Sequence, residues 1–386
     1  MITYKIFSSV NELPSDWDKI TQSDIFLQSS YLNVLERACP NTFCCFFVGV
    51  FKDEELVGIA LIQRVELYAK DMFRSNGVSV VKKFFRSLLS LLLKGHILVL
   101  GNLTHTGQHG YYFDSSKISS KEYFETISNV LQELRQNLMI ERGKKVRLFL
   151  LKDFFENDPI NQFSIELQSL GFVKAKAQPN MIFTIDDSWK KSSDYVNSKT
   201  KKYKRRYNTA RKKLNVDKRE LNLSEIENQS TILYRLYKNV SDNASFNTFI
   251  LPERHFCSMK QYLGNNFRLF GYFFEGELIG FYTLIKNNSV LETYFLGYDE
   301  EHQYSNQLYL NMLYDMAEYA IENNLKSVVY ARTAMEIKSS VGAKPIDMIM
   351  YLKHTNWFMN SMMRQVYNFM NPKRDWQERN PFGIED

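Results

Sequence analysis

The chain has 386 residues, 44% hydrophobic and 24% charged, with only 16 Gly and 8 Pro. That size and composition suit about two packed globular domains and argue against long disordered segments. The net charge is +6, yet thirteen Lys/Arg against three acids fall between Lys190 and Glu220, so the rest of the chain is mildly acidic and offers no extended basic track for duplex DNA.

Cys39, Cys44, Cys45 and Cys257 form no disulfide framework and read as thiols of a reducing compartment. The start, M-I-T-Y-K-I-F-S-S-V, lacks the pattern of a signal peptide, so a cytoplasmic location is expected. In chain order, Ile2 to Phe7 reads as a strand and Phe26 to Ala38 as a helix. Phe43 to Phe51 and Leu56 to Leu67 form a hairpin through Lys52-Asp53-Glu54-Glu55. Val78 to Leu100 is leucine-rich but broken by Lys82, Lys83, Arg86 and Lys94, too interrupted to span a bilayer. A core helix leading into a strand at Ile97 to Leu100 competes there with a segment lying on an anionic membrane surface.

Gly101 to Phe113 follows as a polar, glycine-rich loop, in which Asn102, Thr106, Gly107 and Gly110 are expected to shape a pocket. His105 and His109 lack a third ligand in the sequence, so no metal is expected. Ser119 and Glu122 make a capping box for a helix whose face runs Tyr123, Ile127, Val130, Leu131, Leu134, Leu138 and which Gly143 ends. A strand at Val146 to Leu151, a helix around Asn161 to Leu170 and a closing strand at Met181 to Ile185 complete the first half.

The basic segment S-K-T-K-K-Y-K-R-R-Y-N-T-A-R-K-K-L comes next. With Ser198 as cap, a helix from Lys199 would align Arg205, Asn208 and Arg211 or Lys212 on one face, beside Arg206, as an anion site; a solvated surface helix is the plainer reading. The second half then repeats the first. Gly49 to Gly58 aligns without gaps on Gly271 to Gly280, with identities at Gly49/Gly271, Phe51/Phe273, Glu55/Glu277, Leu56/Leu278 and Gly58/Gly280. Strand Val290 to Leu296, helix Asn306 to Ile321, strand Ser327 to Tyr330, a short helix to Val341, Gly342 and a closing strand near Met348 to Tyr351 follow in the same order. We expect an α/β protein of two tandem domains with mixed sheets: 1–188, a basic opening segment 189–220, 221–353, and a tail 354–386 whose apolar start, from Trp357, suits membrane contact.

This order of elements resembles the GNAT acyltransferase fold, and its doubled form, with a basic helix running S-K to R-x-N-x-x-R, resembles the Fem-type aminoacyl transferases and related predicted N-acyltransferases of peptidoglycan biosynthesis. Tyr304-Ser305-Asn306-Gln307, Ala331-Arg332-Thr333-Ala334 and Ile337-Lys338 before Gly342 carry that resemblance. It implies that Arg332 and Lys338 face the site between the domains, with Tyr304 and Asn306 of the same motif as further candidates for substrate or donor binding, and that the chain is an N-acyltransferase acting on a small-molecule or lipid-linked amine: a cell-envelope precursor, an amino sugar or an amino acid. No cofactor is expected to be resident; the donor would be a CoA thioester, an acyl carrier protein or an aminoacyl-tRNA. Gln303 to Gln307 contains no glycine for close approach to a CoA pyrophosphate, which favours a tRNA or carrier-protein donor held by Arg205, Arg206 and Arg211. Glu292 and Tyr294 alternate onto one face of their strand, with Glu292 the candidate base and Tyr294 the positioning group. A non-catalytic module recognising envelope precursors or other anionic ligands is the alternative.

Overall fold

The computed structural model describes residues 1–21, 24–67, 95–243, 249–370 and 376–383. The leucine-rich stretch 78–94 and its basic residues therefore lie outside the described residues. The chain forms two compact units: the described residues of Met1–Gln178, Ser245–Leu251 and Asp347–Lys373, and those of Pro179–Ala244, Pro252–Ile346 and Arg374–Asp386.

Thirteen strands are described: β1 (Ile2–Phe7), β2 (Phe43–Lys52), β3 (Glu55–Leu67), β4 (Gly95–Leu100), β5 (Tyr111–Phe113), β6 (Val146–Phe154), β7 (Val173–Thr184), β8 (Asp217–Glu220), β9 (Phe267–Phe274), β10 (Glu277–Asn287), β11 (Val290–Tyr298), β12 (Ser327–Val329) and β13 (Lys344–His354). In the first unit β2, β3 and β4 run antiparallel in turn, and β6 joins β4 in parallel. In the second, β9, β10 and β11 run antiparallel and β12 joins β11 in parallel. The strands of each unit pack a hydrophobic face against a helix, Ser120–Arg142 in one unit and Leu308–Glu322 in the other. The Ser119/Glu122 capping box forms, and Gly143 closes its helix at φ 61°.

The repeat read in the sequence is repeated in detail. Both hairpins turn through two residues with positive φ, Asp53 and Glu54 in one and Glu275 and Gly276 in the other. Val50 pairs Gly58 and Phe51 pairs Leu56 across a bulge; Tyr272 pairs Gly280 and Phe273 pairs Leu278 across the same bulge. A Cβ on Gly49 would stand 2.9 Å from the Phe51 ring, and one on Gly271 would stand 2.8 Å from the Phe273 ring.

The closing strands are exchanged between the halves. Ile182–Thr184 of β7, which follows β6 in sequence, pairs with β12. Ile349–His354 of β13, which follows β12, pairs with β6. Two helix boundaries also differ from the sequence reading. Ser198 ends a helix (Ser192–Ser198) instead of capping one, because Asp194 accepts from the Lys190 and Lys191 amides and starts that helix earlier. Lys199 turns an extended corner, and the basic helix runs Lys201–Lys213. The helix placed at Asn306 to Ile321 is two helices, Glu300–Asn306 and Leu308–Glu322, broken where Gln307 adopts φ 47°.

Candidate functional site

The basic helix Lys201–Lys213 is amphipathic in an unusual sense. Tyr203 and Ala210 are buried, and Tyr207 packs edge-on against Tyr314, so positions 203, 207 and 210 hold the helix to the second unit. The cations between them are left to solvent. One flank opens a cleft of about 730 Å³ lined by Lys202, Arg205, Arg206, Thr209, Lys213, Gln303, Tyr304, Gln307, Leu310 and Ile337. Four cations and no carboxylate line it, a lining of one sign that favours negative charge. Tyr304 is 86% exposed and offers a ring to whatever enters. The other flank is a smaller depression, with Asn208 and Lys212 beside Arg205.

The remaining residues singled out in the sequence have other surroundings. Arg211 is turned inward: its guanidinium lies 2.8 Å from Asp315, 2.8 Å from Glu318 and 3.2 Å from the Asn311 amide oxygen, between the rings of Tyr207 and Tyr314. Burial works against its charge, but the two carboxylates outweigh it and raise its pKa. Asn306 is buried and accepts from the Asn215 amide at 3.0 Å, tying the end of its helix to the segment after the basic helix. Neither residue lines the cleft.

Lys338 is buried too. Its Nζ donates to the carbonyls of Tyr330, Ala331 and Arg332, the last at 2.6 Å, which matches the three donors of an ammonium. Burial alone pushes its pKa down to about 7. The loop that it gathers is strained: Ala331, Thr333 and Ala334 all have positive φ. Arg332 is half-buried within that loop.

Glu292 and Tyr294 lie on β11 at an irregularity. Leu284 pairs Thr293 and Tyr282 pairs Leu296, so Tyr294 and Phe295 together oppose one residue of β10. Glu292 is 4% exposed. The Tyr294 hydroxyl meets Nε2 of buried His255 at 3.0 Å.

The glycine-rich loop belongs to the first unit, and packing fixes it. Asn102 donates to Tyr31 Oη at 2.9 Å and accepts from Thr104, while Lys152, ion-paired with Asp153, donates to the carbonyls of Asn102 and His105. The Gly107 amide donates to Asp153, and Thr106 is half-buried beside it. A Cβ on Gly110 would sit 2.4 Å from the Gly101 Cα, so Gly110 is there for backbone contact.

Sequence reasoning passed over Lys199, Asn311, Asp315 and His255. Lys199 is 5% exposed; its Nζ lies 3.6 Å from the Tyr195 ring centroid and 4.9 Å from that of Phe382, with no hydrogen bond among the described residues, and burial lowers its pKa to about 7. Asn311, Asp315 and Glu318 recur at helical spacing inside the apolar run L-Y-L-N-M-L-Y-D-M-A-E, a signal of buried polar partners that was available.

No family model matches the chain, and no curated protein matches it. Among solved structures, FemX is similar at TM-score 0.55 and 12% identity, over 93% of this chain and 99% of that one. A tandem GNAT protein from the clavulanic acid biosynthesis pathway is similar at TM-score 0.53 and 9% identity, over 92% of this chain and 99% of that one. Likeness at such identities establishes the fold, a Fem-like tandem GNAT architecture.

Proposed function

We propose that the chain is an N-acyltransferase that moves an acetyl, acyl or aminoacyl group from an activated donor to an amine, with a cell-envelope precursor, amino sugar or amino acid as acceptor. The observation that carries this reading is the cationic cleft at Lys202, Arg205, Arg206 and Lys213, set against the helix junction that follows β11 in a tandem GNAT fold. Direct transfer of an activated acyl group to an amine needs few covalent parts: the amine nitrogen attacks the acyl carbon, a base takes its proton, and the thiol or ribose hydroxyl departs. Glu292 is our candidate base and Tyr294, held by His255, the candidate positioning group.

The junction favours a donor gripped by side chains. The Tyr309 amide at the start of its helix is already occupied by the Gln303 side chain at 3.0 Å, so it is not free to cradle a pyrophosphate. Arg205 and Arg206 are exposed and can take phosphates in forked contacts, as an aminoacyl-tRNA or a carrier-protein phosphopantetheine would present them. The test is mass spectrometry of small amines and envelope precursors incubated with the protein and acyl-CoA, acyl carrier protein or aminoacyl-tRNA. An acylated amine dependent on the protein supports the reading; no product with any of the donors, while the cleft still binds anions, rejects it in favour of a recognition module.

A further inference from the structure

The first unit ends in two short helices that behave differently. Met363–Met370 is laid against the sheet: Met363 packs with Ile97, Val99, Leu148 and Leu352, and the Tyr367 hydroxyl donates to the Lys176 carbonyl at 3.0 Å. The preceding helix, Trp357–Ser361, buries none of its residues. It is moored through Asn360, whose amide nitrogen donates to the Gly171 carbonyl at 2.7 Å and whose oxygen accepts from the His354 amide at 2.7 Å. That mooring turns Trp357 and Phe358 outward, 80% and 52% exposed with ring centroids 6.0 Å apart, and Met362 falls one turn beyond Phe358.

We propose that this corner is a membrane-docking point, in which Trp357 and Phe358 enter the interfacial layer of a bilayer that carries anionic headgroups. Charge favours that surface: from Met348 to Met370 the chain carries Lys353 and Arg364 and no carboxylate. Lys353 lays its stem near Gly171 with Nζ 5.6 Å from the Phe172 ring centroid, and Arg364 is exposed. Area argues against a second copy of the chain. Trp357, Phe358 and Met362 together expose roughly 350 Å², less than half of the roughly 800 Å² per partner of a stable interface. An aromatic pair with basic neighbours is instead the composition that settles at a headgroup boundary.

The experiment is co-sedimentation of the full chain with vesicles of phosphatidylcholine, with and without phosphatidylglycerol. Binding is expected with phosphatidylglycerol, and the double variant Trp357→Ser/Phe358→Ser should weaken it by about tenfold or more. Both side chains are exposed, so the variant should unfold at the parent's midpoint, which separates lost docking from lost folding. Trp357→Phe should retain binding while losing most of the blue shift in tryptophan fluorescence that the parent shows on adding vesicles. Absence of binding to either vesicle, binding undiminished in the double variant, or a concentration-dependent dimer that the double variant abolishes would each overturn the proposal. None of these readouts requires acyl transfer, so the result is independent of the catalytic reading.

Discussion

Arg211 and Asp315 meet at 2.8 Å, with the carboxylate almost wholly shielded from water and Lys218 3.1 Å from the same oxygen. Tyr272 donates to the other Asp315 oxygen, so the guanidinium and the carboxylate form the centre of a buried polar cluster. Arg211→Ala leaves Asp315 with Lys218 as its cation and takes the guanidinium from Glu318 as well, and should destabilise the second unit by up to about 3–5 kcal/mol, the usual size for breaking one side of a buried pair. Urea unfolding measures this. A variant of parental stability that had lost only ligand affinity would place Arg211 in recognition instead.

Arg205→Ala and Arg206→Ala are expected to behave in the opposite way. Both residues are exposed and line the cleft, so stability should stay within about 0.5 kcal/mol of the parent, while each loses about 1.5–3 kcal/mol of affinity for a phosphate-bearing ligand. Titration with inorganic pyrophosphate, read by calorimetry, distinguishes the two residues from Arg211. Unchanged affinity in both variants would mean that the cleft is only a solvated face.

Lys199 should make stability depend on pH. Its folded pKa is lowered to about 7 by burial, against 10.5 for the ordinary side chain. Between those values the unfolded chain holds a proton that the folded chain has released, so its contribution to stability rises with pH from about 7 towards 10.5. Lys338 adds a contribution of the same sign. Lys199→Met should therefore be more stable than the parent at neutral pH, by roughly 1–3 kcal/mol, with the gap closing at alkaline pH. Parallel stability curves for parent and variant would dismiss the effect.

Lys338→Met leaves three carbonyls of a strained loop without their donor. A loss of at least about 1–3 kcal/mol is expected, together with faster amide exchange across residues 331–334. If stability and exchange hold and only substrate affinity falls, Nζ serves the ligand and not the loop.

Glu292→Gln keeps the shape of the side chain and removes the base. Once a donor and acceptor are known, turnover should fall by roughly 10² to 10⁴ with donor binding nearly intact. Turnover within a factor of about three of the parent would remove Glu292 from the mechanism.

The parts of this fold that could be read from the sequence are those written locally. The hairpin repeat was legible because Gly49 and Gly271 each answer to a ring two residues away, and the Ser119/Glu122 cap because both partners lie within one turn. The inward turn of Arg211 is not legible for the opposite reason: its partners Asp315 and Glu318 lie about a hundred positions along the chain, and a basic run read alone assigns every cation to solvent or ligand. Ser198 has the side chain of a cap, but Asp194, four residues earlier, accepts from the Lys190 and Lys191 amides and starts the helix first. The exchange of β7 and β13 had no local signature at all, since either strand carries an apolar pattern that fits either neighbour.

That exchange bears on how the protein is made. The strand that pairs with β6 in the first unit leaves the ribosome only after the strands β8 to β12 of the second unit, so the earlier-synthesised strands must wait with β6 uncovered on that side until residue 354 has emerged. A chain stalled or clipped after the second repeat's helix would leave β6 presenting its backbone amides and carbonyls to any passing strand, which is the usual opening for aggregation. The vulnerable interval thus spans the synthesis of the whole second repeat, although the exposed edge belongs to the first.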